Sequence, residues 1–431
     1  MDDRVIVALD LKSFYASVEC VERGLDIFTT PLVVCDTERG ANTIVLSCTP
    51  YMKSHGAKNV CRRKDLPYVK NMIYATPRMG LYLKKSNEVF SIVLDYVAEE
   101  DMHIYSIDEC FFDLTPYLKF YNKKPEEIVK EIQDKIYEKT HLVTTAGISY
   151  NIFMAKVALD NEAKKKPPFR CTWTRDDVKN KLWKIKDLDS IWGINIGYKT
   201  RLERMGINTV EELAKAHINY LRLNLGQAGI ELHDLVNGND YSLIQNKYKT
   251  ISKSLSLGQS LYKDYTVEQA KILLEEMTNS LCERLHKANY LTGQVSLTVI
   301  YSFKQKVSPG FTKQQKLLNY TDINERIFAV LLDIFNKNVK DLPIRKLYIS
   351  YSCLVERTKI QYSLFNDENN DIKLRNATIT LEYLQDKYGK DKVFLGTSLL
   401  DESTYFERNK QIGGHKKWRI ILWKNGNHIN L

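Results

Sequence analysis

Apolar positions near the start of the chain run unbroken from Val5 to Leu9, the β-rich pattern of a strand buried on both faces, and Asp10 closes the run. The spacing then turns helical. In SFYASVECVE, Phe14, Val18 and Val21 share one face, with Ser13 as the expected N-cap. Residues 24–75 keep neither period and are punctuated by Pro and Gly (TTPLVVCD, TPYMKSHG, LPYVKN), which reads as a small insertion. Regular pattern returns with a helix predicted over 82–97, a β-hairpin over 103–115, a helix over 125–139 with Ile128, Ile132 and Ile136 on one side, and a last strand in LVTTAGIS. The sum is β-(insertion)-α-β-β-α-β, a ferredoxin-like order. A helix in NIFMAKVALDNEAKKKPP then stops at a lysine run and a double proline, which marks a domain edge.

Further along, KDLDSIWGINIGYKTRLERMGINTVEELAK (186–215) pairs short helices around Gly-containing turns, the look of a helix-hairpin-helix. There the backbone N–H groups near Gly193 and Gly197 would meet a DNA phosphate and Lys199 would neutralise charge. An ordinary αα-hairpin fits the same residues, and Asn195 stands where a second glycine is common. A second β-α-β-β-α-β set follows: a strand in SKSLSLGQSL, a helix over 266–288, strands on either side of Pro309-Gly310, a helix over 322–337, and a strand in IRKLYISYSCL. Its strands alternate apolar residues with Ser, Thr, Lys and Gln, so one face should pack helices while the other stays polar. After it, IQYSLFNDENND passes into a polar run, and Leu364 and Phe365 have the form of a linear docking motif, although core packing is the commoner use of such a pair. The tail contains a predicted helix over 377–388 and then QIGGHKKW, to which the residues alone assign no role.

One stretch breaks the pattern. YSIDECFFDLT places Asp108 and Glu109 side by side in otherwise strand-like sequence, where carboxylates are disfavoured. In a ferredoxin-like order the first strand lies beside the hairpin, so Asp10 can meet this pair. Carboxylates brought together in a partly buried site repel one another, and a divalent cation with oxygen ligands is the usual remedy, with magnesium the leading candidate. The plain alternative is a pair exposed in a loop, but SI before it and CFF after it leave little room for one. Lys156 and Lys164, on the following helix, could reach an anionic ligand at the same place.

Bulk properties narrow the classes. A 431-residue chain with 44% hydrophobic residues is globular and long enough for several domains. The net charge of +10 suits a phosphate-rich partner. The eight cysteines include no C-x-x-C pair and point to reduced thiols in the cytoplasm, with neither a zinc site nor a disulfide framework. The acidic start MDDRVIVALD is unlike a signal peptide, and no apolar run reaches membrane-spanning length.

Taken together, ALDLKSFYASVE and YSIDECFFDLT, about a hundred residues apart, resemble the first and second motifs of the Y-family, or translesion, DNA polymerases, within the UmuC-like branch of bacteria and their phages. GIS followed by MAKVALDNEAKKKP is similar to the family's last palm strand and helix, QYSLF to its bacterial sliding-clamp motif, and QIGGHKKW to endings of that branch. The resemblance implies an α+β right-hand architecture: palm 1–23 and 76–166, fingers 24–75, helix-hairpin-helix thumb 167–240, little finger 247–358, and clamp motif with tail 359–431. It implies that Asp10, Asp108 and Glu109, with the Leu11 carbonyl, hold two Mg2+ ions, for which Mn2+ can substitute. Phe14 and Tyr15 would lie under the sugar, with the Tyr15 ring filling the space of a ribose 2′-hydroxyl. Ser47, Lys53 and Lys164 would contact the triphosphate, although Pro50 replaces a tyrosine of many relatives and Lys53 an arginine, losing the bidentate fork. Lys12 replaces an acid of some relatives, so no fourth carboxylate is assumed.

The implied activity is template-directed, low-fidelity DNA synthesis past damaged bases in SOS-type damage tolerance. The implied partners are primer-template DNA, deoxynucleoside triphosphates, a bacterial sliding clamp bound through Gln361, Leu364 and Phe365, and an accessory protein on the tail, with the chain monomeric and cytoplasmic. Two alternatives use the same palm: a nucleotide cyclase, which needs no duplex grip, and a non-catalytic DNA-binding factor, which has no use for an intact carboxylate triad.

Overall fold

The computed structural model describes residues 4–58, 60–246, 253–302, 309–358 and 368–417. The chain forms two compact units, one of residues 1–247 with 415–431, the other of residues 248–414.

A five-stranded sheet organises the first unit. Strand β1 (Ile6–Leu11) is central, between β3 (Glu109–Asp113) and β4 (Thr144–Ser149), with β2 (Met102–Ile104) and β5 (Arg170–Thr172) at the edges. Over the βαββαβ elements the strand order is 4-1-3-2 with antiparallel neighbours, and β5 adds a parallel edge strand. The unbroken apolar run has the expected cause: Ile6 to Leu9 are fully buried because the sheet is covered on both sides. Helix α1 (Phe14–Val21) follows β1. Helix α2 (Met79–Leu94) begins three residues before the predicted start, and α3 (Pro125–Thr140) matches its apolar stripe of Ile128, Ile132 and Ile136. Helix α4 (Ile152–Ala158) presses so closely on β4 that a Cβ at Gly147 would stand 2.2 Å from the Ala155 carbonyl oxygen, so only glycine fits in TAGIS.

Residues 24–75 are not irregular. They fold into a sheet of Leu32–Val34, Ser47–Cys48 and Ile73–Ala75 and a ladder of Ile44–Val45 with Cys61–Arg62, around Val33, Val45, Cys48 and Met52. Strands of two or three residues are too short to display a period. Later in the unit, helices Ile196–Arg204, Val210–Lys215, Ile218–Leu225 and Gln227–Val236 bury Leu202, Val210, Leu213, Leu221 and Val236.

The second unit has the same element order but different wiring. Strand β6 (Leu255–Tyr265), helix α5 (Val267–Lys287), strands β7 (Tyr290–Tyr301) and β8 (Gly310–Thr321), helix α6 (Asn324–Asn338) and strand β9 (Ile344–Glu356) give the antiparallel order β6-β9-β7-β8. Both helices pack on one face over Val295, Leu297, Leu347 and Ile349. Strands β6, β7 and β9 largely alternate, with Tyr262 and Tyr348 exposed, whereas the edge strand β8 is exposed on both faces over residues 312–316, Lys313 and Lys316 included.

Helix α7 (Glu368–Tyr388) starts nine residues before its predicted start. It carries no strong apolar stripe. Ion pairs hold it instead: Arg326 with Asp371 at 2.8 Å, Arg375 with Asp322 at 2.9 Å, and His286 with Glu382 at 2.7 Å. Beyond it, the Thr404 N–H and hydroxyl donate to the buried Glu276 at 3.1 and 3.2 Å. Gln361, Leu364 and Phe365 lie outside the described residues.

Candidate active site

The register of the central strands places Asp10 directly opposite Glu109. Successive residues of a strand face opposite sides, so a continuous strand would point Asp108 away from Asp10. Strand β3 begins only at Glu109, however, and Asp108 sits in the bend before it, with its carbonyl accepting the Leu11 N–H at 2.9 Å and its Oδ1 accepting the Ser106 hydroxyl at 2.6 Å. Glu109 therefore stays in the ladder beside Asp10. Asp108 turns with Asp10 into a cleft of about 810 Å³, which Leu11, Phe14, Ser47 and Lys53 also line.

Two lysines meet these carboxylates. After α4 the chain widens into a π-helical turn, Leu159–Ala163, with the Lys164 N–H bonded to the Leu159 carbonyl at 3.0 Å. Such turns re-aim side chains and favour functional sites. Here Lys164 Nζ reaches Asp10 Oδ2 at 2.9 Å and Asp160 at 2.8 Å, while Lys156, almost fully buried, lies 2.7 Å from Glu109 and 3.1 Å from Asp160. Burial raises the pKa of Asp10, against the pull of Lys164, and that of Glu109, against Lys156. Burial would lower Lys164, but Asp10 and Asp160 outweigh it and the ammonium is raised. Asp160, the carboxylate between the lysines, was missed in the sequence, although Lys156-Asp160-Lys164 at successive i, i+4 steps was the available signal.

Among the described residues, no group of three or more His, Cys, Asp and Glu side chains is assembled as a ready cation site. The donors nonetheless suit a hard divalent cation. Asp10 and Asp108 open on one cleft, and the buried Glu109 carboxylate, opposite Asp10, is matched by the Lys156 ammonium at 2.7 Å from Oε1 and 2.8 Å from Oε2. A cation would compete with Lys164 for Asp10.

On the other wall, the Ser47 hydroxyl donates to the Ser13 carbonyl at 3.2 Å and accepts the Ala16 N–H at 3.3 Å, tying the small sheet to α1. Ser13 does not cap that helix: at φ 52° it is left-handed, and its hydroxyl is buried without a partner. Pro50 opens the short helix Pro50–Ser54, with Thr49 as its cap, and this helix carries Lys53. Desolvation in the cleft lowers the ammonium pKa of both Lys53 and Lys12. Lys12 donates to the Lys164 carbonyl at 2.8 Å and stands 4.4 Å over the Phe169 ring.

Phe14 is buried, and Tyr15 stacks on Tyr82 with ring centroids 4.5 Å apart. Tyr82 is fixed by Glu19, which is wholly buried. Its carboxylate accepts the Tyr82 hydroxyl at 2.7 Å, two Arg78 bonds at 2.9 Å each, and one from Arg23. Burial and Asp108 raise the Tyr15 phenol. Away from the cleft, Gly193 takes φ 95°, while Asn195 caps helix Ile196–Arg204 by accepting the Tyr198 N–H at 3.0 Å, and Gly197 lies in its first turn. Lys199 pairs with Asp189 at 2.8 Å.

A ferredoxin-like sheet that turns two strand-end carboxylates into a lysine-lined cleft is a palm built for phosphoryl transfer. Comparison with known proteins gives the particular family. Residues 9–160 match the impB/mucB/samB family and residues 248–364 its C-terminal domain. UvrX of Bacillus subtilis (strain 168), a protein named for UV-damage repair, is 32% identical over 95% of this chain and 97% of its own. DNA polymerase IV 2 of the same organism is 29% identical over 97% of this chain and 100% of its own. A solved Y-family DNA polymerase chimera, Dbh-Dpo4(243-245)-Dbh, shares the fold with a TM-score of 0.66 at 21% identity, covering 82% of this chain and 99% of that one. The chain belongs to the impB/mucB/samB family and is a Y-family, DNA-directed DNA polymerase of the translesion class. The family's activity depends on a divalent metal. No described helix is long and apolar enough to cross a membrane, and all eight cysteines are free thiols.

Proposed function

We propose that Asp10, Asp108 and Glu109, with the Leu11 carbonyl, hold two magnesium ions, and that Mn2+ can take their place. The observation that supports this reading is the bend before β3, which puts Asp108 on the cleft wall with Asp10 while Glu109 stays in the ladder opposite Asp10. When bound, the cations polarise the α-phosphate and stabilise the attacking and leaving oxygens of the transfer. Lys164 changes partner, leaving Asp10 for the triphosphate, and Asp160 holds it at that edge of the cleft. Lys53 neutralises charge as a point cation, and Ser47 keeps the small sheet in place against Ser13 and Ala16. Tyr15, braced by Tyr82, overlaps the position of a ribose 2′-hydroxyl and so selects deoxynucleotides.

In the same reading, residues 1–23 and 76–166 are palm, 24–75 fingers, 167–240 thumb and 247–358 little finger. The thumb grips a DNA phosphate through the amides near Gly193 and Gly197, and the polar, basic sheet face of the second unit grips duplex backbone. Because that grip reads phosphates and not base-pair shape, damaged template bases pass. Gln361, Leu364 and Phe365 engage a bacterial sliding clamp, the tail serves an accessory protein, and the chain works as a cytoplasmic monomer. Titration calorimetry of magnesium into the complex with primer-template and a non-hydrolysable deoxynucleotide tests the metal assignment. Two ions should bind to the wild type and fewer to Asp108→Ala; equal stoichiometry in both would sink it.

A further inference from the structure

Within the tail, the residues of QIGGHKKW have no individual role in the reading above, yet the last described ones meet the elements that frame the cleft. Gly413 and Gly414, at φ 58° and 80°, turn the chain, and His415–Lys417 then contacts two separate pieces of the first unit. The Gly80 N–H donates to the Lys417 carbonyl at 3.0 Å. Gly80 is in the first turn of α2, where amides have no partner within the helix. Lys416 Nζ pairs with Glu38 and stands 3.8 Å from the buried Asp36, which Arg39 also approaches at 3.3 Å.

Both pieces support the cleft from behind. Helix α2 carries Tyr82, the ring on which Tyr15 stacks, and follows directly on Arg78, which is bonded to Glu19. The turn at Asp36–Arg39 continues strand Leu32–Val34, whose neighbour in the sheet holds Ser47 on the cleft wall. We propose that His415–Lys417 is a latch, a positioning element that holds the start of α2 and the 36–39 turn in register so that Tyr82 stays stacked on Tyr15. The inference rests on Tyr15 as the sugar-selecting residue. Lys416 acts through its neighbours and touches no substrate.

The test compares full-length wild type, Lys416→Glu, Lys416→Arg and the swap Lys416→Glu/Glu38→Lys, with Tyr15→Ala beside them. The readout is the ratio of kcat/KM for a deoxynucleotide to that for the matching ribonucleotide. A purely structural role would lower the melting temperature and leave this ratio alone. For a partly exposed pair turned repulsive, Lys416→Glu should lower the ratio about two- to fivefold. Lys416→Arg should keep it and the swap should restore most of it. A wild-type ratio in Lys416→Glu, alongside a lost ratio in Tyr15→Ala, overturns the latch. A wild-type ratio in Tyr15→Ala overturns the reading of Tyr15 and the latch with it.

Discussion

Removal of Glu19, outside the cleft, should cost this protein heavily. Its side chain is 0% exposed and accepts two bonds from Arg78 at 2.9 Å each and one from the Tyr82 hydroxyl at 2.7 Å, with Arg23 as a further partner. In Glu19→Ala the guanidinium of Arg78, 13% exposed, loses its counter-charge, while Arg23, 30% exposed, can rehydrate and adds little. Breaking a buried pair from one side costs about 3–5 kcal/mol, a range that already absorbs the orphaned tyrosine hydroxyl. For a unit of roughly 250 residues each kcal/mol moves Tm by about 2–4 °C, so the first unit's transition should fall by about 6–20 °C. Scanning calorimetry of the full chain reads this directly. Because both residues serve one network, Glu19→Ala/Arg78→Met should lose less than the sum of the single changes. A Glu19→Ala transition within about 2 °C of wild type, or strict additivity in the double variant, would refute a buried network here.

Three further outcomes are expected. Tyr15→Ala should lower deoxynucleotide preference about tenfold or more in single-nucleotide insertion kinetics, since removing the ring opens the space of a 2′-hydroxyl; an unchanged preference removes Tyr15 from that role. Replacing Leu364 and Phe365 with alanine should weaken clamp binding about thirtyfold or more in surface plasmon resonance, as for buried apolar anchors, with clamp-free synthesis intact; equal binding would end the docking assignment. The third concerns pH and helix α7. Burial would lower the pKa of His286, but Glu382, and then Asp322, outweigh it and raise the imidazole above 6.5. A raised pKa stabilises the docked helix fully below the ordinary value and loses that contribution as pH climbs through the raised one. Hydrogen exchange of α7, corrected for intrinsic rate, should thus show less protection at about pH 9 than at about pH 6, and pH-independent protection would contradict the pair.

The chemistry was more legible than its supports. Asp108 and Glu109 were conspicuous because carboxylates rarely sit among SI and CFF, but element order does not by itself fix the strand order that brings Asp10 opposite Glu109, since the second unit has the same order of elements with different strand neighbours. Glu19 was invisible, since a glutamate in VECVE with Arg23 one turn on looks like any solvated helix position, and its buried partners Arg78 and Tyr82 lie about sixty residues away. The two-residue strands of the insertion have no period to read, and the early turns of α7 dock through Asp371 and Arg375 where an apolar stripe was sought. Asn195 stood out as a poor match to glycine, whereas in the fold it is the helix cap.

The carboxylate assignment is tested most directly by primer extension with purified protein and magnesium on an undamaged and an abasic template, wild type beside Asp108→Ala. Wild type should extend both primers, and the variant should bind primer-template DNA equally well yet extend neither. Extension by Asp108→Ala at the wild-type rate would contradict the site built here, and wild-type arrest at the abasic position would contradict synthesis past damage.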